Sequence, residues 1–189
     1  MVVAEITLHG LLIGKAVDPA DFLARADVLG RLGLDVLISR FELYYQLGEY
    51  LAAATDHLIG IAVGLPGLIE IARDKYYERL PGGILEATGR LFRRSVKMYV
   101  YPTRDPQSGA IIDIATAQMP RTWTHFRDLL LETGHLVPIA EYRGDYLTIA
   151  APDVLAKIDV RDASWEALVP PAAADAIKSD RLFGYVPPT

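Results

Sequence analysis

The fold class follows first from an apolar run at residues 58–63, LIGIAV, which leads directly into GLPG at residues 64–67. A short run of apolar, partly β-branched residues bounded by turn residues is typical of a buried strand. Leu68, Ala72 and Tyr76 then recur at the spacing of one helix face. The segment therefore predicts a strand buried on both faces, a turn at Gly64–Gly67 and a helix.

The same alternation continues on both sides of this segment. Toward the N-terminus, a helix opens at Asp18-Pro19, a strand covers residues 36–38, and Leu43, Leu47 and Leu51 mark another helix. Toward the C-terminus, a helix beginning at Ile84 leads into a strand at residues 96–101. Strands that alternate with helices at this spacing form parallel βαβ units with right-handed crossovers. We therefore predict an α/β fold, a three-layer Rossmann-like and mostly parallel sheet with flanking helices.

The pattern is weaker after Pro102. Turn residues at 105–109 predict an antiparallel or edge segment at residues 111–115, and a helix follows through Trp123, Phe126 and Leu130. Residues 136–139 form a last short strand, and the C-terminus is helical at residues 152–158 and 171–178. In each adjacent tyrosine pair, 44–45 and 76–77, one member is expected in the core and the other at its rim.

Length and composition narrow the function classes. A chain of 189 residues fits a single α/β domain over residues 1–189. A net charge of −5 disfavours a nucleic-acid or anionic-membrane surface. The longest apolar run, Leu58 to Ile69, is far shorter than the ~20 residues of a spanning helix, so a cytoplasmic protein is expected. The chain contains no cysteine, which excludes thiol chemistry and thiolate metal sites.

The usual signatures of catalysis and cofactor binding are missing from the sequence. The histidines have no i, i+3 or i, i+4 pairing among them; they are His9, His57, His125 and His135. The Gly-x-Ser-x-Gly, Gly-x-Gly-x-x-Gly and Gly-x-x-x-x-Gly-Lys-Ser/Thr spacings do not occur. We therefore predict neither a metal ion nor a cofactor, and no catalytic residue is assigned.

A ligand site is nevertheless expected where the parallel strands end. In open α/β sheets ligands bind outside the carboxyl ends of the strands, beside helix N-termini. The predicted ligand-binding residues are Ser39, Arg40, Gly64, Thr103 and Arg104. Two guanidinium groups would suit a small anionic ligand such as a nucleotide. The alternative is that both arginines form surface ion pairs, for instance with Glu42 and Asp105.

Four stretches of the chain resemble the C-terminal region of a family of larger bacterial proteins. They are residues 37–45, residues 75–87, residues 97–102 and residues 181–185. Proteins of this family are labelled nicotinate-nucleotide adenylyltransferases, or, less fittingly, TonB-dependent receptors. The resemblance covers nearly the whole chain and implies a role connected with NAD metabolism. It also implies a C-terminal fragment of a longer protein, with the N-terminal domain of that protein as a partner.

The catalytic motifs of such nucleotidyltransferases are not intact in this chain. They carry His-x-Gly-His after the first strand and a late Ile-Ser-Ser-Thr-x-x-Arg, which bind and polarise phosphates. Here no histidine follows the strand at residues 36–39, and residues 149–155 lack the hydroxyls and the arginine. The resemblance therefore implies a related domain that has lost catalysis and binds a nucleotide. The alternatives are an oligomerisation or assembly module, with a homo-oligomer expected, and thirdly an active adenylyltransferase.

Overall fold

The computed structural model describes residues 1–8, 19–93 and 95–187. It has the α/β architecture that the sequence predicts, with parallel strands flanked by helices. The chain forms two compact units, the first from residues 1–42 and 149–189 and the second from residues 43–148.

The first unit contains a parallel pair of strands. Strand β1 (Val3–Thr7) pairs with β2 (Asp35–Ser39), and helix α1 (Pro19–Arg31) lies between them in the chain. Helix α1 begins at Pro19, the proline at which the sequence predicts its opening, whereas the preceding Asp18 lies outside the described residues. Gly33 follows the helix at a φ of 77°, a backbone conformation that glycine adopts without strain.

Helices close the first unit at the C-terminal end of the chain. Helix α6 (Ala151–Asp159), α7 (Pro171–Asp180) and a 3-10 segment between them (Ala163–Leu168) confirm the predicted helical C-terminus. Their apolar faces meet around Trp165, which is only 2% exposed. A second 3-10 turn, Leu182–Gly184, packs Phe183 beneath the guanidinium of Arg25 at 5.5 Å.

The second unit is built on a parallel sheet. Strands β3 (Ile59–Gly64), β4 (Val96–Tyr101) and β7 (Leu136–Pro138) lie side by side in that order. An antiparallel hairpin, β5 (Thr103–Arg104) and β6 (Ile111–Ile112), follows the end of β4. The predicted edge segment at residues 111–115 is thus paired only at its first two residues.

The helices of the second unit are α2 (Tyr44–Ala54), α3 (Leu65–Ile71), α4 (Gly83–Leu91) and α5 (Thr124–Glu132). Helix α3 starts directly at the end of β3, where the sequence predicted a turn, because Pro66 is tolerated in the first helical turn. The predicted continuation to Tyr76 lies in a separate 3-10 turn. Tyr45 and Tyr77 are the buried members of the two tyrosine pairs, which confirms the expected division.

Only one face of the β3-β4-β7 sheet carries the core of this unit. Ile61, Val63 and Met98 are buried, whereas Gly60 and Ala62, which alternate with them, are exposed. Right-handed crossovers between strands that follow one another in chain order place the connecting helices on the same face. The prediction of a strand buried on both faces is therefore wrong for β3.

Candidate functional site

The carboxyl edge of the second unit's sheet gathers aromatic and cationic side chains. Strands β3 and β4 end side by side, with Gly64 in register with Tyr101. The segment after β7 returns to the same edge, because the rings of Tyr101 and Tyr142 meet edge to face at 5.8 Å. The Tyr101 hydroxyl also donates a hydrogen bond to the backbone carbonyl of Arg143 at 3.4 Å.

Arg104 ties the hairpin to this returning segment. Its Nη1 donates to the Gly109 carbonyl at 2.9 Å and its Nη2 to the Gly144 carbonyl at 3.4 Å. Its Nε is buried and makes no hydrogen bond to any residue that the structure describes. An unsatisfied buried donor is costly, on the order of 1–3 kcal/mol, so this N–H favours the approach of an acceptor.

Arg143 is the exposed cation of the edge. Its guanidinium forms an ion pair with Asp145 at 2.6 Å and lies over the ring of Tyr146 at 4.5 Å. The hydrogen bond from Arg143 lowers the pKa of the Asp145 carboxyl, and Asp145 in turn raises the pKa of Arg143. Both groups are therefore charged at neutral pH, beside an aromatic ring that is itself half exposed.

The predicted site residues fall in both units. Thr103 and Arg104 lie in β5, and Gly64 caps α3 at the end of β3. Ser39 and Arg40 belong to the first unit, at the end of β2. The predicted residues thus belong to two units. That they form one anion site together stays a prediction.

Ser39 and Arg40 differ sharply in exposure. Ser39 is 6% exposed; its hydroxyl donates to the Glu5 carboxylate and accepts the Phe41 backbone N–H at 3.3 Å. This pattern holds the end of β2 against β1. Arg40 is exposed.

The alternative ion pair of Arg104 with Asp105 is not formed. Arg104 uses its terminal nitrogens on backbone carbonyls, while the Asp105 carboxylate accepts the backbone N–H groups of Gln107 and Ser108, each at 2.8 Å. The bond from Ser108 is the leading cause of the lowered pKa of Asp105. Asp105 therefore shapes the hairpin turn rather than neutralising Arg104.

Tyr142, Arg143 and Tyr146 were missed as site residues. The sequence placed a strand at residues 136–139, and the carboxyl-end rule applies to that strand as it does to the others. Since β7 is parallel to β4, the residues just after it necessarily reach the same edge. Applying the carboxyl-end rule to β7 as well would have identified Tyr142, Arg143 and Tyr146 as candidate site residues.

Another charge network in this unit joins two helices. Arg90 donates to both carboxylate oxygens of Glu49, at 2.9 and 2.7 Å, and lies over the Tyr45 ring at 4.4 Å. The Arg90 hydrogen bond lowers the pKa of Glu49. The contact connects α2 to α4 on the buried side of the sheet, so we interpret it as structural.

Neither a group of side chains suited to a metal ion nor a membrane-spanning helix is found among the described residues. Within residues 1–8, 19–93 and 95–187, no three histidine, aspartate or glutamate side chains are grouped to hold a metal ion. Across the same residues, no helix combines the length and the apolar character needed to span a bilayer.

Comparison with known proteins adds no relative to this description. No protein-family model matches the chain, and no curated protein or solved structure is significantly similar to it. The resemblance to nicotinate-nucleotide adenylyltransferases therefore stays a prediction from the sequence.

Proposed function

We propose that the chain is a non-catalytic binding domain for a small anionic ligand of the nucleotide class. The ligand lies at the carboxyl edge of the second unit's sheet. The observation that carries the proposal is the meeting of Tyr101, Tyr142 and Arg143 at the end of β4.

The chemistry of the edge suits a ligand with both a flat ring and a phosphate. Tyr142 and Tyr146 offer aromatic faces, and stacking on such faces is tolerant of the identity of the base. Arg143 is exposed and can exchange Asp145 for a phosphate, which a guanidinium binds through two parallel hydrogen bonds. The unsatisfied Nε of Arg104 supplies a further donor beside Gly144.

The absence of catalysis is part of the proposal and rests on the sequence. Nucleotidyl transfer needs groups that stabilise the charge developing on the phosphates. The chain lacks the His-x-Gly-His and Ile-Ser-Ser-Thr-x-x-Arg motifs that provide them in the family it resembles. Ligand binding without turnover is the function that remains.

A thermal-shift titration tests the proposal. ATP, nicotinate mononucleotide and NAD are each added to wild type, to a Tyr142→Ala/Arg143→Ala double variant and to Arg79→Ala, an exposed arginine of the segment between α3 and α4. A ligand at 100 times its Kd should add about 2.7 kcal/mol, or roughly 5–10 °C in Tm. We expect a shift in wild type and in Arg79→Ala that the double variant loses.

Two results would contradict this proposal. One is the absence of any shift with all three ligands. The other is a shift that the Tyr142→Ala/Arg143→Ala variant retains in full. An Arg40→Ala variant, measured in parallel, tests whether the predicted residues of the first unit contribute to the same binding event.

A further inference from the structure

The exposed cation of the binding edge already holds an anion of its own chain. Arg143 donates a hydrogen bond from Nε to one carboxylate oxygen of Asp145 at 3.3 Å and another from Nη2 to the second oxygen at 2.6 Å. A phosphate binds a guanidinium through the same kind of paired hydrogen bonds. The Asp145 carboxylate therefore takes the pair of donors that a phosphate would use on this side of Arg143.

Arg143 does not need Asp145 in order to stay at the edge. Its backbone carbonyl accepts hydrogen bonds from the Tyr101 hydroxyl at 3.4 Å and from the Tyr146 backbone N–H at 3.1 Å. Its guanidinium lies over the Tyr146 ring, 4.5 Å from the centroid. Because these contacts hold the arginine, the carboxylate mainly changes the charge of the site and has less effect on its geometry.

Asp145 is itself kept close to Arg143 by a short turn. It lies in the 3-10 segment Gly144–Thr148, and the Thr148 hydroxyl donates to its backbone carbonyl at 3.1 Å. A carboxylate displaced from the guanidinium therefore stays within the turn, where its negative charge repels an incoming phosphate. The pair is also open to exchange, because the side chains of Arg143 and Asp145 are 67% and 58% exposed.

We propose that Asp145 competes with the ligand for Arg143 and so sets the affinity of the binding edge for phosphate. This inference rests on the proposed function, because it concerns the same site. A ligand must replace the carboxylate on Arg143 and then bind beside its charge. Since exposed ion pairs contribute little, the competition weakens binding only about two- to fivefold.

Isothermal titration calorimetry of the full chain with ATP, in a buffer free of divalent cations, tests this proposal. Asp145→Asn removes the charge and keeps a side chain of nearly the same shape, and it should lower the Kd for ATP about two- to fivefold. Asp128→Asn is the matched control. Asp128 is also 58% exposed and also pairs with a neighbouring arginine, Arg127 at 2.8 Å, but it lies in helix α5. This variant should bind ATP with the wild-type Kd.

A second control separates competition for Arg143 from the general charge of the segment. Glu141 is exposed two residues before Arg143 and is not part of the ion pair with Asp145. Glu141→Gln removes the same charge as Asp145→Asn but leaves that ion pair in place. It should therefore lower the Kd for ATP less than Asp145→Asn does. Circular dichroism confirms that each variant is folded.

The outcomes distinguish this inference from the proposed function. Binding of ATP by both wild type and Asp145→Asn, with the same Kd or with weaker binding by the variant, would overturn the competition alone. An equal gain in affinity in Glu141→Gln would also overturn it. Binding of ATP by neither wild type nor Asp145→Asn would overturn the proposed function and this inference together.

Discussion

Met98 is completely shielded from solvent in the middle of β4, on the helix-covered side of the sheet. Its replacement by alanine removes a buried side chain and leaves a cavity, because close-packed neighbours relax only in part. Methionine-to-alanine changes in cores cost about 2–5 kcal/mol, which corresponds to a fall in Tm of roughly 4–20 °C for a chain of this size.

Lys97, the preceding residue of the same strand, provides the matched control. Its side chain lies on the face of the sheet that the helices leave uncovered and has no partner among the described residues, so Lys97→Ala should change the free energy of unfolding by no more than about 0.5 kcal/mol. If a single face of the sheet carries the core, substitution by alanine at these two adjacent positions should therefore lower the free energy of unfolding by amounts that differ severalfold.

Urea unfolding followed by tryptophan fluorescence measures both variants. The second unit contains Trp123 and the first contains Trp165, so a Trp165→Phe background lets fluorescence report on the second unit alone. Met98→Ala should lower the midpoint without changing the m-value. A loss below about 1 kcal/mol for Met98→Ala, or an equal loss for Lys97→Ala, would refute the one-faced packing.

Two further predictions concern titratable groups. The hydrogen bond from Arg90 lowers the pKa of Glu49, so this pair stabilises the fold above pH 4.5, and the contribution is lost as the pH falls through the folded-state pKa. The urea midpoint of Glu49→Gln should therefore fall less steeply below pH 4.5 than the midpoint of wild type. Parallel curves of midpoint against pH would contradict this role of the pair. Burial raises the pKa of Tyr77 from 10.0 to about 12, and its hydroxyl donates to the Ile71 carbonyl, so stability should decline as the pH rises from 10 toward 12. Tyr77→Phe should lower the free energy of unfolding by about 1–3 kcal/mol at neutral pH and should remove the decline between pH 10 and 12. Urea unfolding at neutral pH and across that alkaline range measures both effects.

The sequence predicted the alternation of strands and helices well, because apolar periodicity reports directly on which residues face a core. Residues 58–63 and 96–101 match β3 and β4 to within one residue. The prediction that β3 is buried on both faces was wrong, because an apolar run has the same sequence pattern whether one face of the strand is covered or both. The small residues Gly60 and Ala62 were the available hint, because they add little apolar area to the face on which they both lie.

The candidate site was predictable only in part. Thr103 and Arg104 follow from the carboxyl-end rule, but the hydrogen bond from Arg104 to the Gly144 carbonyl depends on a segment 40 residues further along the chain. Tyr142 and Arg143 lie at the edge because β7 is parallel to β4, and a three-residue strand is a weak signal. Pairings between distant segments arise from tertiary packing, which local sequence patterns do not encode.

Hydrogen–deuterium exchange of the full chain with and without ATP tests the binding edge most directly, because it locates the ligand without altering a residue. Bound nucleotide should slow exchange at residues 101–104 and 140–146, the two segments that meet at the carboxyl end of β4. Unchanged exchange in both segments at saturating ATP, or protection confined to residues 35–45, would contradict a binding site at this edge.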